Sequence, residues 1–265
     1  MKFLIQTVNG EIVHDFVFEL QRSLEYLEWK GENHISLKCE LENIKRLTRI
    51  DISEFIPVGT VEFVMEFASI YINSNAKLLI KPINVPNSLL PFTLNHSVEN
   101  YKIWNDNRED INNKLDNGNK LYIKSNEKIK SDLNGVYLLD EISKLPIGNY
   151  QIGNYKDDIL SEYRCFVYQD KLRGLQFYSG DYEIFPNMDI IHNMMSKYKW
   201  DWGKGEAPQA YTLDVYVNDN NETGVIECHE FFSCGLYGFS DYQHLPYMFE
   251  RAFNDLKKRL QLFGN

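Results

Sequence analysis

Tyr211-Thr-Leu-Asp-Val-Tyr-Val217 runs into Asn218-Asp-Asn-Asn-Glu-Thr223 and then into Gly224-Val-Ile-Glu-Cys-His-Glu-Phe-Phe-Ser-Cys-Gly-Leu-Tyr-Gly238. The outer runs are β-branched and aromatic and alternate with period two. The middle is dense in turn formers, so the stretch predicts a hairpin. Pairing Val217 with Gly224 across the turn sets Asp214 opposite Glu227. Alternation then puts Thr212, Asp214, Glu227 and His229 on one face, and Leu213, Val215, Ile226 and Cys228 on the other. Strand carboxylates ordinarily point to water on the open face of an antiparallel sheet. Two that face each other repel unless a positive charge lies between them. A hard divalent cation with oxygen ligands, such as magnesium carrying nucleotide phosphates, removes that repulsion. Asp214, Glu227 and His229 are therefore the candidate metal ligands.

An Asp on one strand, a Glu thirteen residues later, a third ligand two residues beyond and then a Ser/Gly-rich loop resemble the metal site of the ATP-grasp superfamily of carboxylate-amine ligases. The last two ligands of that superfamily usually read Glu-x-Asn. Here they read Glu227-Cys228-His229, and imidazole suits softer metals than magnesium, so manganese is a second candidate. Other segments follow in the same order. Lys120-Leu-Tyr-Ile-Lys124-Ser-Asn-Glu-Lys-Ile-Lys130-Ser looks like the phosphate-holding strand and loop, with Lys124 as the phosphate lysine and Ser125 and Lys128 beside it. Ser161-Glu-Tyr-Arg-Cys-Phe-Val-Tyr168, a turn at Gln169-Asp170 and Lys171 to Gly180 form a second expected hairpin. It resembles the strand on which a Glu holds the ribose and an Arg reaches the phosphates, roles that fall to Glu162 and Arg164. With Ile56-Pro-Val-Gly-Thr-Val-Glu-Phe-Val64 and Lys81-Pro-Ile-Asn-Val-Pro86, the set is similar to the short ATP-grasp clade, common in phages and bacteria, named for one arginine and two lysines.

The resemblance implies an α+β protein of the ATP-grasp fold, two α+β lobes clasping ATP, preceded by a small α/β N-terminal domain. The expected divisions are 1–87, 88–150 for the small lobe and 151–265 for the large lobe with the metal site. Pro82 and Pro86 interrupt regular structure at the first boundary. Leu145-Pro-Ile-Gly-Asn-Tyr-Gln-Ile-Gly153 combines Pro and Gly with apolar residues and reads as the hinge; by resemblance, backbone groups of Tyr150, Gln151 and Ile152 read the adenine edge. Helices are expected at 15–30, with Phe16, Phe18, Leu20, Leu24, Leu27 and Trp29 as its stripe, and after Thr60, with Val61, Val64, Met65, Ala68 and Ile70 inward. Further helices are expected at 108–115, around the Met188–Tyr198 stripe, and from Pro246 to Leu262, the last covering the back of the sheet.

A chain of 265 residues can bury a substantial core. Its formal net charge of −10 argues against a nonspecific nucleic-acid binder, whose affinity comes from basic residues. Cys39, Cys165, Cys228 and Cys234 form no CxxC pair and read as reduced, buried thiols of a cytoplasmic protein. The first residues read as a strand and not a signal peptide. No segment approaches the length of apolar chain that spans a bilayer, so no membrane partner is expected.

The resemblance thus implies an ATP-dependent carboxylate-amine, peptide-type ligase working through an acyl phosphate. Arg164 and Arg173 would stabilise the transferring group, and Ser233, Gly235 and Tyr237 would lie in the acceptor loop. The expected partners are small-molecule or peptide carboxylates and amines. The alternatives are a metal-dependent nuclease, since Asp followed by Glu-x-Lys on a hairpin is a frequent nuclease core, and a nucleotide- or peptide-binding module without turnover.

Overall fold

The computed structural model describes residues 1–47, 51–103, 120–155, 157–200 and 207–262; the helix expected at 108–115 lies outside them. The first third is a parallel three-stranded sheet in the order β2-β1-β3, formed by β1 (Lys2–Gln6), β2 (Ile35–Cys39) and β3 (Ile56–Val58). Helix α1 (Asp15–Trp29) crosses from β1 to β2, and α2 (Val61–Tyr71) follows β3. Thr60 caps α2, its hydroxyl accepting from Phe63 N at 3.3 Å. In α1, Phe16, Leu20, Leu24 and Leu27 are buried as expected, but Phe18 and Trp29 are exposed. Each lies two residues from a buried neighbour, about 200° round a helix of 3.6 residues per turn, and so faces away from the stripe. Ile70 of α2 is likewise exposed. A single turn, α3 (Ala76–Leu79), leads into the strap Lys81–Pro86.

Strands β4 (Glu99–Ile103), β5 (Lys120–Ser125), β6 (Gly135–Leu138) and β7 (Gly148–Asn154) form an antiparallel sheet in the order β4-β7-β5-β6. Ile103, Leu121, Ile123, Tyr150 and Ile152 fill its core. Because β7 runs to Asn154, the boundary expected after residue 150 falls inside a strand.

The second four-stranded sheet is also antiparallel, in the order β11-β10-β8-β9: β8 (Ile159–Tyr168), β9 (Lys171–Gly180), β10 (Ala210–Asn218) and β11 (Thr223–Glu230). Gln169 and Asp170, at φ 49° and 61°, make the two-residue turn between β8 and β9. Alternation along β8 and β10 divides the faces. Tyr163, Cys165, Val167, Leu213 and Val215 pack behind the sheet with Ile191, Met194 and Tyr198 of α4 (Met188–Trp200). On the front, Phe166, Tyr168 and Ala210 pack with α5 (Leu245–Leu262), while Glu162, Arg164, Asp214 and Glu227 occupy the rest. Helix α5 therefore covers the apolar half of the front, not the back as expected, because the back already has α4. Its Phe249, Phe253, Leu256 and Leu260 share one core with the N-terminal sheet, Phe253 meeting Phe67 at 5.7 Å between ring centroids.

Candidate active site

Gln176, Arg164, Asp214 and Glu227 form a transverse row across β9, β8, β10 and β11. The expected Asp214–Glu227 pairing is present, but reached differently. Val217 pairs with Thr223 instead of Gly224, and an extra residue at Ile226 restores the register by Glu227. This β-bulge changes which side chain enters the core. Val225, not Ile226, packs with Leu213, Val215 and Cys228, and Ile226 lines the cavity described below.

Each carboxylate of the row has its own cation. Arg164 grips Asp214 with two parallel bonds, Nε to Oδ1 at 2.8 Å and Nη2 to Oδ2 at 2.7 Å, and both residues are buried. Burial disfavours the guanidinium charge, but Asp214 more than offsets it and holds Arg164 above its ordinary range. Glu227 meets Lys124, which arrives from β5 of the other sheet, and His229 Nε2 at 2.5 Å. Burial opposes ionisation of Glu227, yet Lys124 and His229 outweigh it and hold the carboxyl far below the usual carboxylate range. The ligand atoms of Asp214, Glu227 and His229 lie within 4.8 Å of one another. Two carboxylates and one imidazole on a single face suit a divalent cation that takes oxygen and nitrogen donors, so the set fits magnesium or manganese.

Beside the row lies a cavity of about 480 Å³, bounded by Lys124, Gln151 and Tyr155 on one side and Glu162, Tyr216 and Ile226 on the other. That volume is in the range of small-molecule and cofactor sites. The backbone of Tyr150, Gln151 and Ile152 is not free to read a base, contrary to expectation. Strand β7 is central, and these residues pair with β4 on one edge and β5 on the other. The side chains of Tyr150 and Ile152 lie in the small-sheet core, and Gln151 is tied to Val85 by two bonds of 3.0 and 2.9 Å. The wall nearest this expected hinge is instead the segment after β7, where Asn154, Tyr155 and Asp157 line the cavity.

The remaining expected residues divide into two groups. Ser125 is buried, and its hydroxyl accepts from the amides of Glu127 and Lys128 at 3.1 and 3.2 Å, closing the turn after β5; the Lys128 side chain is exposed. The loop of half-buried Ser233 folds onto Arg164: Gly235 O accepts from Arg164 Nη1 at 3.1 Å, and the guanidinium lies 5.1 Å from the Tyr237 ring. Arg173 does not join the row. It sits 5.8 Å from the Tyr168 ring, at the apolar end of the front face. Burial pushes the Cys234 thiol up to about 12, which leaves it protonated and unsuited to nucleophilic attack.

Two residues outside the expected set organise the site. Asn84, buried and at φ 52°, accepts from Cys228 N at 2.7 Å and donates to Ser125 O at 2.9 Å. It thereby joins the residue after Glu227 to the residue after Lys124. Its one legible signal is Asn between two prolines, since Asn tolerates the left-handed region. Tyr178 donates to Glu162 Oε2 at 2.8 Å, and nothing in its strand marks it out.

No curated protein sequence matches the chain. Among solved structures, the D-cycloserine synthetase DcsG is similar with a TM-score of 0.57 at 11% identity, covering 98% of this chain and 100% of that one. An N5-carboxyaminoimidazole synthetase from Staphylococcus aureus gives 0.54 at 12% identity, over 97% and 77%. The ATP-grasp ligase PsnB, complexed with minimal precursor, gives 0.51 at 9%, over 96% and 99%. At these identities the likeness establishes the fold alone, and it takes away the ground for a nuclease reading of the hairpin. Residues 100–246 match the ATP-grasp domain of R2K clade family 2, and by this match and its fold the chain belongs to that ATP-grasp family.

Proposed function

We propose that the protein is an ATP-dependent ligase that joins a carboxylate to an amine through an acyl phosphate. The observation that carries this reading is the convergence, beside one cavity, of opposed Asp214 and Glu227 with Lys124 from the facing sheet. In such a reaction a substrate carboxylate oxygen attacks the γ-phosphorus and ADP leaves; an amine then attacks the acyl carbon and phosphate leaves. A bound divalent cation supplies neutralisation of charge at the transferring phosphoryl group. Asp214 and Glu227 would hold it, with His229 as the third donor. Lys124 and Arg164 would bind phosphate oxygens. Lys124 already neutralises Glu227, so moving it to a phosphate as Glu227 takes the cation leaves no buried charge unpaired. Tyr155 and its neighbours would border the base, and Glu162 the ribose. Gly235 and Tyr237 would border the acceptor.

Incubation with ATP, magnesium and pooled amino acids or peptides should release ADP and yield a new amide mass by mass spectrometry. ADP release that never depends on a carboxylate and an amine would overturn the reading. It would favour a nucleotide-binding module without turnover, for which His229, standing where the superfamily commonly has Asn, is the supporting observation.

A further inference from the structure

Strand β9 carries one residue more than β8 beside the cavity. Glu162 pairs with Ser179 and Tyr163 with Phe177, so Tyr178 is the extra residue of a β-bulge. A bulge re-aims its side chain, and the Tyr178 phenol donates to Glu162 Oε2 at 2.8 Å. Its ring also stacks on Tyr237, with centroids 5.1 Å apart, and the Arg164 guanidinium lies 5.9 Å from it. One side chain thus touches a carboxylate of the cavity wall, the arginine of the row and the loop beyond. Burial, followed by Asp214, Glu162 and Glu227, pushes the phenol far above its ordinary range. It stays a hydrogen-bond donor throughout physiological pH.

We propose that Tyr178 is a positioning residue, which holds one oxygen of Glu162 so that the other meets the sugar hydroxyls of the bound nucleotide, and which links that orientation to the acceptor loop through Tyr237. The inference rests on nucleotide occupying the cavity, as in the proposed function. A carboxylate free to rotate would spread its two oxygens over several rotamers. The phenol removes that freedom, and the stack on Tyr237 makes the phenol's own place depend on how the loop lies.

Calorimetric titration of the full chain with magnesium-ATP and magnesium-2′,3′-dideoxy-ATP tests this. The intact protein should bind ATP at least about tenfold tighter than the dideoxy nucleotide, as expected for hydrogen bonds to a charged acceptor. In Tyr178→Phe, which keeps the ring and its stack, the ratio should fall to within about twofold, with the loss confined to ATP. Tyr237→Ala, at an exposed loop position, should lower the ratio about threefold. A ratio unchanged in Tyr178→Phe, or an equal loss for both nucleotides, would overturn the proposal. Should that variant fail to fold, an unchanged ratio in Tyr237→Ala overturns it instead. A wild-type protein that binds neither nucleotide would sink the ligase reading itself.

Discussion

Glu227 is kept ionised by Lys124 from across the cavity and by His229 two residues along its own strand. Because its folded value is depressed, it adds stability above the unfolded glutamate value of about 4.3, and that contribution is lost as pH falls below it. Glu227→Gln should therefore melt below wild type at neutral pH. The two melting curves should converge in acid, and metal-dependent ATP turnover should disappear at every pH. Persisting turnover would remove Glu227 from the metal site. At this scale the sequence was a good guide to residue types and a poor one to partners. Asp214 and Glu227 could be read from strand alternation around one turn. The cations that neutralise them lie 50 and 103 residues away in the chain, where no local pattern reaches.

The hairpins were legible because apolar alternation and turn residues are local. The bulges at Ile226, Arg173 and Tyr178 were not, since one inserted residue leaves composition untouched while moving every side chain beyond it. Nor does a sequence show which strand of a sheet is central, and that is why β7 was mistaken for an open edge. Cross-strand packing at the hairpin has a measurable consequence. A Cβ on Gly224 would lie 2.3 Å from the Tyr216 ring. That ring is held by its hydroxyl bond to Thr93 O at 3.1 Å and by an edge contact with His96. Gly224→Ala should cost about 1–3 kcal/mol of stability by overpacking and weaken ATP binding, because Tyr216 also lines the cavity. Unchanged melting would show that the ring yields freely.

The division into three lobes captures the sheets but not the core, which ignores the first boundary. Phe3, Leu4, Phe67, Phe253 and Leu260 belong to one cluster, and Asn73 Nδ2 donates to Leu260 O at 2.7 Å. Composition at Pro82 and Pro86 signals a break in local structure, whereas packing between distant segments leaves no local trace. Residues 88–265 expressed alone should therefore bind a hydrophobic dye strongly and unfold without a cooperative transition. A sharp melt of that fragment would show a self-sufficient unit. Among the described residues no helix is long and apolar enough to cross a membrane, so the apolar face of α5 has the N-terminal sheet as its place of burial. The acceptor loop depends on the same union, since Leu236 N donates to Asp15 Oδ2 at 2.7 Å. On the ribosome, then, the earliest-made sheet waits for the latest-made helix. A nascent chain stalled before α5 presents naked apolar surface to chaperones and proteases, and the loop that would receive substrate gains its anchor only when synthesis is nearly done.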